Sequence, residues 1–218
     1  MATWCPNDKA LFEMSPSGQI SPNGVVGSGI IHLLKTQSIK TVVEIGTWNG
    51  HGSTTCILNA LQEKQDVTFL SLECNREKQA YALRHLESRL TRGTSLVWGT
   101  ILRENEIANL DVIFPEYRAN PEFHRWHRLD IENMRACPYV FDSLPETIDF
   151  LLLDGGEFTT YFEFLKLVPR CTKYIALDDV HASKCRRIRE ILQQTSEWNE
   201  IAYVPERNGF SLFEKKQL

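Results

Sequence analysis

Thr41-Val42-Val43-Glu44-Ile45-Gly46-Thr47-Trp48-Asn49-Gly50 is the stretch on which the reading of this chain turns. Its first five residues, rich in β-branched side chains, read as a buried strand. A loop carrying Gly46, Gly50 and Gly52 ends the strand, and Ser53 or Thr54 stands where it could cap a helix over Thr55 to Glu63. Glycine lets a backbone approach a ligand closely, and the start of a helix offers unpaired N–H groups.

The same alternation continues outward. Val67 to Leu72 reads as a second strand ending at Glu73, Lys78 to Leu90 as a helix, and Ser95 to Trp98 as a third strand. Ile148 to Leu153 is a fourth strand ending at Asp154-Gly155-Gly156, followed by a helix over Thr160 to Leu167. Tyr174 to Leu177 is a fifth strand ending at Asp178-Asp179, followed by a helix over Ser183 to Gln193. Glu200 to Val204 and Phe210 to Glu214 form a terminal strand pair, joined at Arg207-Asn208-Gly209 by an Asn-Gly turn. Before the first strand, a short helix over Gly29 to Lys35 follows a start rich in Pro, Gly, Ser and Asn, read as loop.

Strands alternating with helices predict an α/β fold with right-handed crossovers. The expected sheet is seven-stranded and mostly parallel, with an antiparallel edge and helices on both faces. Residues 1–218 read as one domain, in which residues 1–40 form a loop and helix cover. Residues 101–147 are too long for a plain crossover and carry Phe114, Tyr117, Phe123, His124, Arg125, Trp126 and His127. Long connections are often functional, so this insertion is expected to form the acceptor site. An ordinary helical embellishment packed on the sheet is the alternative.

Composition narrows the function. At 42% hydrophobic and 24% charged the chain is ordinary for a globular protein, and a net charge of −4 argues against nucleic acid as partner. The six cysteines form no CxxC pair, and several sit in apolar runs, so they read as reduced thiols. The first ten residues lack an apolar signal core, and no apolar run is long enough for a membrane span. The expectation is a cytoplasmic protein without a membrane partner. A homo-oligomer is compatible with the sequence.

In an open parallel sheet, ligands bind beyond the carboxyl ends of the strands. The residues there are Glu44 to Ser53, Glu73-Cys74, Thr100, Asp154 and Asp178-Asp179. The loop is spaced G-x-x-x-G-x-G, which does not fit the G-x-G-x-x-G of dinucleotide binders. Glu44, two residues before the first glycine, suits a cation better than a pyrophosphate. Glu73 can accept both hydrogen bonds of a ribose diol.

The pattern E-x-G-x-x-x-G, with Glu73 about 25 residues on, resembles motif I of the class I S-adenosylmethionine-dependent methyltransferases, which have a Rossmann-like fold. The resemblance implies that Glu44, Gly46, Thr47, Trp48, Gly50, Ser53, Glu73, Cys74 and Thr100 bind S-adenosylmethionine. Leu153-Asp154-Gly155-Gly156-Glu157 and Leu177-Asp178-Asp179-Val180-His181 are similar to the acidic segments of metal-dependent O-methyltransferases. By that resemblance Asp154, Asp178 and Asp179 would hold one Mg²⁺, which lowers the pKa of a bound hydroxyl and orients its oxygen. The other reading has Asp154 touching cofactor while Asp178-Asp179 cap the next helix. Sugar-methylating relatives carry a His three residues after the first Asp; here that residue is Glu157. Asp154, Glu157 and His181 are the catalytic candidates, the last two as rival bases. Glu157 also reads as a first-turn helix charge, and His181 as an exposed or packed residue.

The implied activity is O-methylation of a hydroxyl on a sugar, glycan or similar small molecule. Catechol or phenolic acceptors, and a non-catalytic cofactor-binding unit of a glycan-synthesis assembly, are the alternatives. A nucleic-acid methyltransferase is disfavoured by the charge and by the lack of an Asn/Asp-Pro-Pro-Tyr/Phe signature. The run Lys184, Arg186, Arg187, Arg189 reads as a solvated helix face.

Overall fold

Alternating side chains along the strands divide the molecule into two cores, one on each face of a sheet. A computed structural model describes residues 19–216. The strands are β1 (Thr41–Ile45), β2 (Thr68–Glu73), β3 (Thr94–Trp98), β4 (Ile148–Leu153), β5 (Cys171–Asp178), β6 (Trp198–Val204) and β7 (Phe210–Lys215). The helices are α1 (Val25–Thr36), α2 (Ser53–Leu61), α3 (Arg76–Leu86), α4 (Leu110–Ile113), α5 (Pro121–Ala136), α6 (Thr160–Leu167) and α7 (Ser183–Gln194). The part of the predicted loop that lies before residue 19, and Cys5, fall outside the described residues.

The sheet order is β3-β2-β1-β4-β5-β7-β6. Pairing is parallel from β3 to β5, and β7 runs antiparallel to both β5 and β6. The expected seven-stranded mixed α/β sheet is thus present. Val42, Phe69, Phe150, Leu152 and Ala176 point to the face covered by α1, α2 and α3. Val43, Ile45, Leu151, Leu153, Ile175 and Leu177 point to the face covered by α6, α7 and the insertion. The order reverses between β1 and β4, so their carboxyl ends open a crevice at the switch point.

Three local expectations change. Helix α2 starts at Ser53, with Gly52 before it and no side-chain cap, because Ser53 and Thr54 turn their hydroxyls to Glu44 instead. The β6–β7 connection spans residues 205–209, with Arg207 left-handed at φ 61° and Gly209 at 80°, and is longer than a two-residue turn. The insertion is organised around α5, a 16-residue helix capped by Asn120 and begun by Pro121. Four of its rings pack inward, while Trp126 stays exposed: Phe114, Tyr117, Phe123 and His127 all meet the ring of buried Phe158 edge-on. Among the described residues no helix is long and apolar enough to cross a membrane, and Cys56, Cys74, Cys137, Cys171 and Cys185 are free.

Candidate functional site

The crevice between β1 and β4 is a cavity of about 320 Å³, within the range of small-molecule sites. The ends of five parallel strands and the loops after them build its wall. From β1 come Ile45, Gly46, Thr47, Trp48, Asn49, Gly52 and Ser53. Gly46 has φ 98°, and a Cβ there would lie 2.1 Å from the Asp154 carbonyl, so only glycine lets the β1 and β4 loops touch.

Glu44 is placed beneath this loop, not on the cavity wall. It is fully buried, and its two oxygens accept hydrogen bonds from Ser53 (2.5 Å), Thr54 (2.7 Å) and Ser71 (2.5 Å). Burial pushes its pKa up, and the three hydroxyls oppose that. In place of the expected contact with a bound cation, Glu44 ties strand β1, strand β2 and the start of α2 together. Gly50 also faces away from the cavity: a Cβ on it would strike Leu86 of α3 at 2.6 Å.

Glu73, at the end of β2, does face the cavity. Its oxygens accept the backbone N–H groups of Trp48 (2.9 Å) and Asn75 (2.9 Å), which fix its orientation. A carboxylate has lone pairs for about four donors, so it retains acceptors for a diol. Cys74 and Thr100 also line the wall. The insertion supplies Asp130 and Asn133 from one side of α5, three residues apart and so on one face.

Glu163, from α6, is buried at the cavity, and its Oε2 has no hydrogen-bond partner. Burial first, then the charges of Asp130 and Glu73, push its pKa up to about 8. The native state therefore holds this proton where the unfolded chain has lost it. The stability this group contributes is full below its ordinary pKa and is lost as pH rises towards 8. Between pH 5 and 8 the wild type should lose about 2 kcal/mol more stability than Glu163→Gln. Each pKa unit is worth about 1.4 kcal/mol, and the neighbouring acids titrate over part of the same window. Urea unfolding at the two pH values measures the difference; equal losses in both proteins would refute it.

At the far end of the cavity stand Asp154, Asp178 and Asp179. Their ligand atoms lie within 4.8 Å of one another, as ligands of one cation would. Asp179 holds a left-handed backbone at φ 55°. Trp48 and Arg207 share that conformation, so three of the four described non-glycine residues with positive φ are on this wall. Strain of this kind collects at functional sites.

The trio already has cations. Lys184 Nζ lies 2.5 Å from Asp154 Oδ1 and 2.7 Å from Asp179 Oδ2. Arg207 grips Asp178 with two nitrogens, at 2.9 and 3.3 Å. With the ammonium between two of its three ligands, the site as folded does not fit a divalent ion. Burial, above all, raises the pKa of Asp154, and Lys184 acts against it. Asp154 lines the cavity, and among the described residues its side-chain hydrogen bond is the one Oδ1 accepts from Lys184.

Lys184 corrects the reading of a solvated basic face: it is 8% exposed. The rest of the run does lie outside the cavity, with Arg186 paired to Glu116, Arg187 to Glu190 and Arg189 to Glu200. The sequence held one signal for Lys184. A lysine in the first turn of a helix opposes the helix dipole, and α7 has no acid in that turn. Such a charge needs partners elsewhere. Asp130 and Asn133 had no such signal, because their placement depends on how the insertion folds, and Glu163 had none because it depends on which face of α6 meets the cavity.

The two rival bases are placed outside the cavity wall. Glu157 accepts the backbone N–H of Lys184 at 3.3 Å, at the start of α7. His181 is exposed and shares a 2.8 Å hydrogen bond with Tyr203. Asp178 and Asp179 do not cap α7, whose capping residue is Ala182.

No family model and no curated protein matches the sequence. Solved structures share the fold. An O-methyltransferase from Bacillus cereus in complex with SAH (S-adenosylhomocysteine) aligns with a TM-score of 0.61 at 16% identity, over 96% of this chain and 87% of that one. A putative caffeoyl-CoA O-methyltransferase from Staphylococcus aureus aligns at 0.59 and 13% identity, over 96% and 97%. A precorrin-6y C5,15-methyltransferase from Geobacter metallireducens aligns at 0.59 and 15%, over 94% of each chain. The chain therefore has the Rossmann-like fold that these methyltransferases share.

Proposed function

We propose that the protein is an S-adenosylmethionine-dependent O-methyltransferase acting on a hydroxyl of a polar small molecule, with a sugar or glycan as the preferred class. The observation that carries this is the single cavity wall joining Glu73, whose carboxylate is at the end of β2, to the carboxylates at the ends of β4 and β5. The wall fits the cofactor. Gly46 and Gly155 keep side chains out of the crevice, and the unpartnered Oε2 of Glu163 leaves a buried polar atom for a ligand group to meet. When bound, the cofactor supplies an electrophilic methyl group on a sulfonium, whose carbon–sulfur bond breaks as the acceptor oxygen bonds to the methyl carbon.

The chain's part is to hold the acceptor in line and take its proton. Asp154 lines the cavity, and its raised pKa suits a base working near neutral pH. Among the described residues Trp48 is the one aromatic on the wall, while the charged end offers donors and acceptors to a polyol. That favours a sugar over a flat phenol, whose ring would want an apolar slot.

Calorimetry with S-adenosylhomocysteine and transfer of a labelled methyl group to a panel of sugars, glycans and phenols test the proposal. Binding at one site per chain and label in a sugar acceptor are expected. Binding without transfer to any acceptor would favour a non-catalytic binding unit, and no binding would overturn the reading.

A further inference from the structure

We propose that Lys184 stands in place of a divalent cation at this site, and that its ammonium, bridging Asp154 and Asp179, presents a hydrogen-bond donor to the acceptor oxygen without any metal.

The space decides first. A Mg²⁺ ion held by these two carboxylates would stand about 2 Å from an oxygen of each. The Lys184 nitrogen stands 2.5 Å from Asp154 Oδ1 and 2.7 Å from Asp179 Oδ2. Ion and ammonium claim the same volume, and their like charges repel.

The lysine is also built in rather than draped over the site. It is 8% exposed. Its turn of α7 is fastened on several sides. Ser183 donates to Glu116 at 2.5 Å, Arg186 pairs with that carboxylate, and Glu157 accepts the Lys184 backbone N–H. Cys185 Sγ donates to the Leu153 carbonyl at 3.6 Å. Charge is consistent as well. Lys184 pairs with Asp154 and Asp179, and Arg207 with Asp178, so each of the three carboxylates has a cation beside it.

An ammonium has three N–H groups; one donates to Asp154 Oδ1, and Asp179 pairs with the charge at 2.7 Å. Among the described residues no other side chain or carbonyl accepts from this ammonium, and Lys184 lines the cavity, which leaves it a donor for a ligand. It can orient an acceptor oxygen beside Asp154, although an ammonium lowers the pKa of a hydroxyl less than a bound divalent ion does. This last role rests on the methyl-transfer reading; the displacement of the metal does not.

Mn²⁺ binding followed by electron paramagnetic resonance tests the site without any acceptor or cofactor. The native protein should take up no stoichiometric Mn²⁺. Lys184→Met, which keeps the stem and removes the charge, should bind Mn²⁺ at least roughly tenfold more tightly than native, and Lys184→Arg should remain metal-free. If Lys184→Met does not fold, the native measurement still decides. Stoichiometric Mn²⁺ in the native protein, lost in Asp179→Asn, would overturn the proposal by showing that the lysine yields to the ion. Transfer assayed after EDTA treatment separates the readings: undiminished rates support both. Rates restored only by Mg²⁺ refute the role of Lys184 alone. Absence of transfer under all conditions, with no Mn²⁺ bound, refutes the methyl-transfer reading and leaves the metal-free site standing.

Discussion

Asp154→Asn should lower the rate of methyl transfer by about 100-fold or more, while S-adenosylhomocysteine binds within about threefold of native. The asparagine keeps the shape and can still accept from Lys184 through its carbonyl oxygen, so the ion-pair geometry at 2.5 Å has a neutral substitute. What it loses is the ability to take a proton at the cavity wall. A base acting in the transition state contributes about 10²–10⁴-fold, which sets the expected size. Single-turnover transfer and calorimetry on the same preparations separate the two effects. A variant that transfers at near-native rate would remove Asp154 as the base. A variant that loses cofactor binding in parallel would assign it to the cofactor instead.

The second large effect concerns stability. Glu44→Ala should destabilise the protein by about 4 kcal/mol, because three buried hydroxyls lose their acceptor at once and a cavity opens beneath the loop. Each unsatisfied buried polar group costs about 1–3 kcal/mol, part of which the hydroxyls recover by rotating to other acceptors. Glu44→Gln should cost about half as much, since its amide keeps the volume and one oxygen acceptor. Urea unfolding of the three proteins measures this. A loss below about 1 kcal/mol in the alanine variant would mean that the Glu44 network does not brace the loop.

These two carboxylates show how far the chain could be read unfolded. Both stand at strand ends in acidic, glycine-bearing segments, and both were recognisable as special. Their roles were not. Glu44 looked like a partner for a bound cation, and the structure turns it inward onto Ser53, Thr54 and Ser71, 9 to 27 residues away. Asp154 looked like a metal ligand, and the structure gives it an ammonium from a helix 30 residues later.

The alternation of strands and helices, the mixed sheet, and the strand ends where chemistry collects were all legible in the chain. Those are set by local periodicity, by β-branched runs and by glycine, which act over a few residues. The sequence also marked Glu73, because a carboxylate at the end of β2 meets the crevice in any sheet of this order. Only the tertiary structure decided what neutralises the acids, which face of α5 meets the cavity, and that four of the insertion's rings pack around Phe158 instead of lining the wall. Those depend on side chains far apart in the chain converging on one volume. For Lys184 the balance of burial against two ion pairs exists only once β4, β5 and α7 are in place.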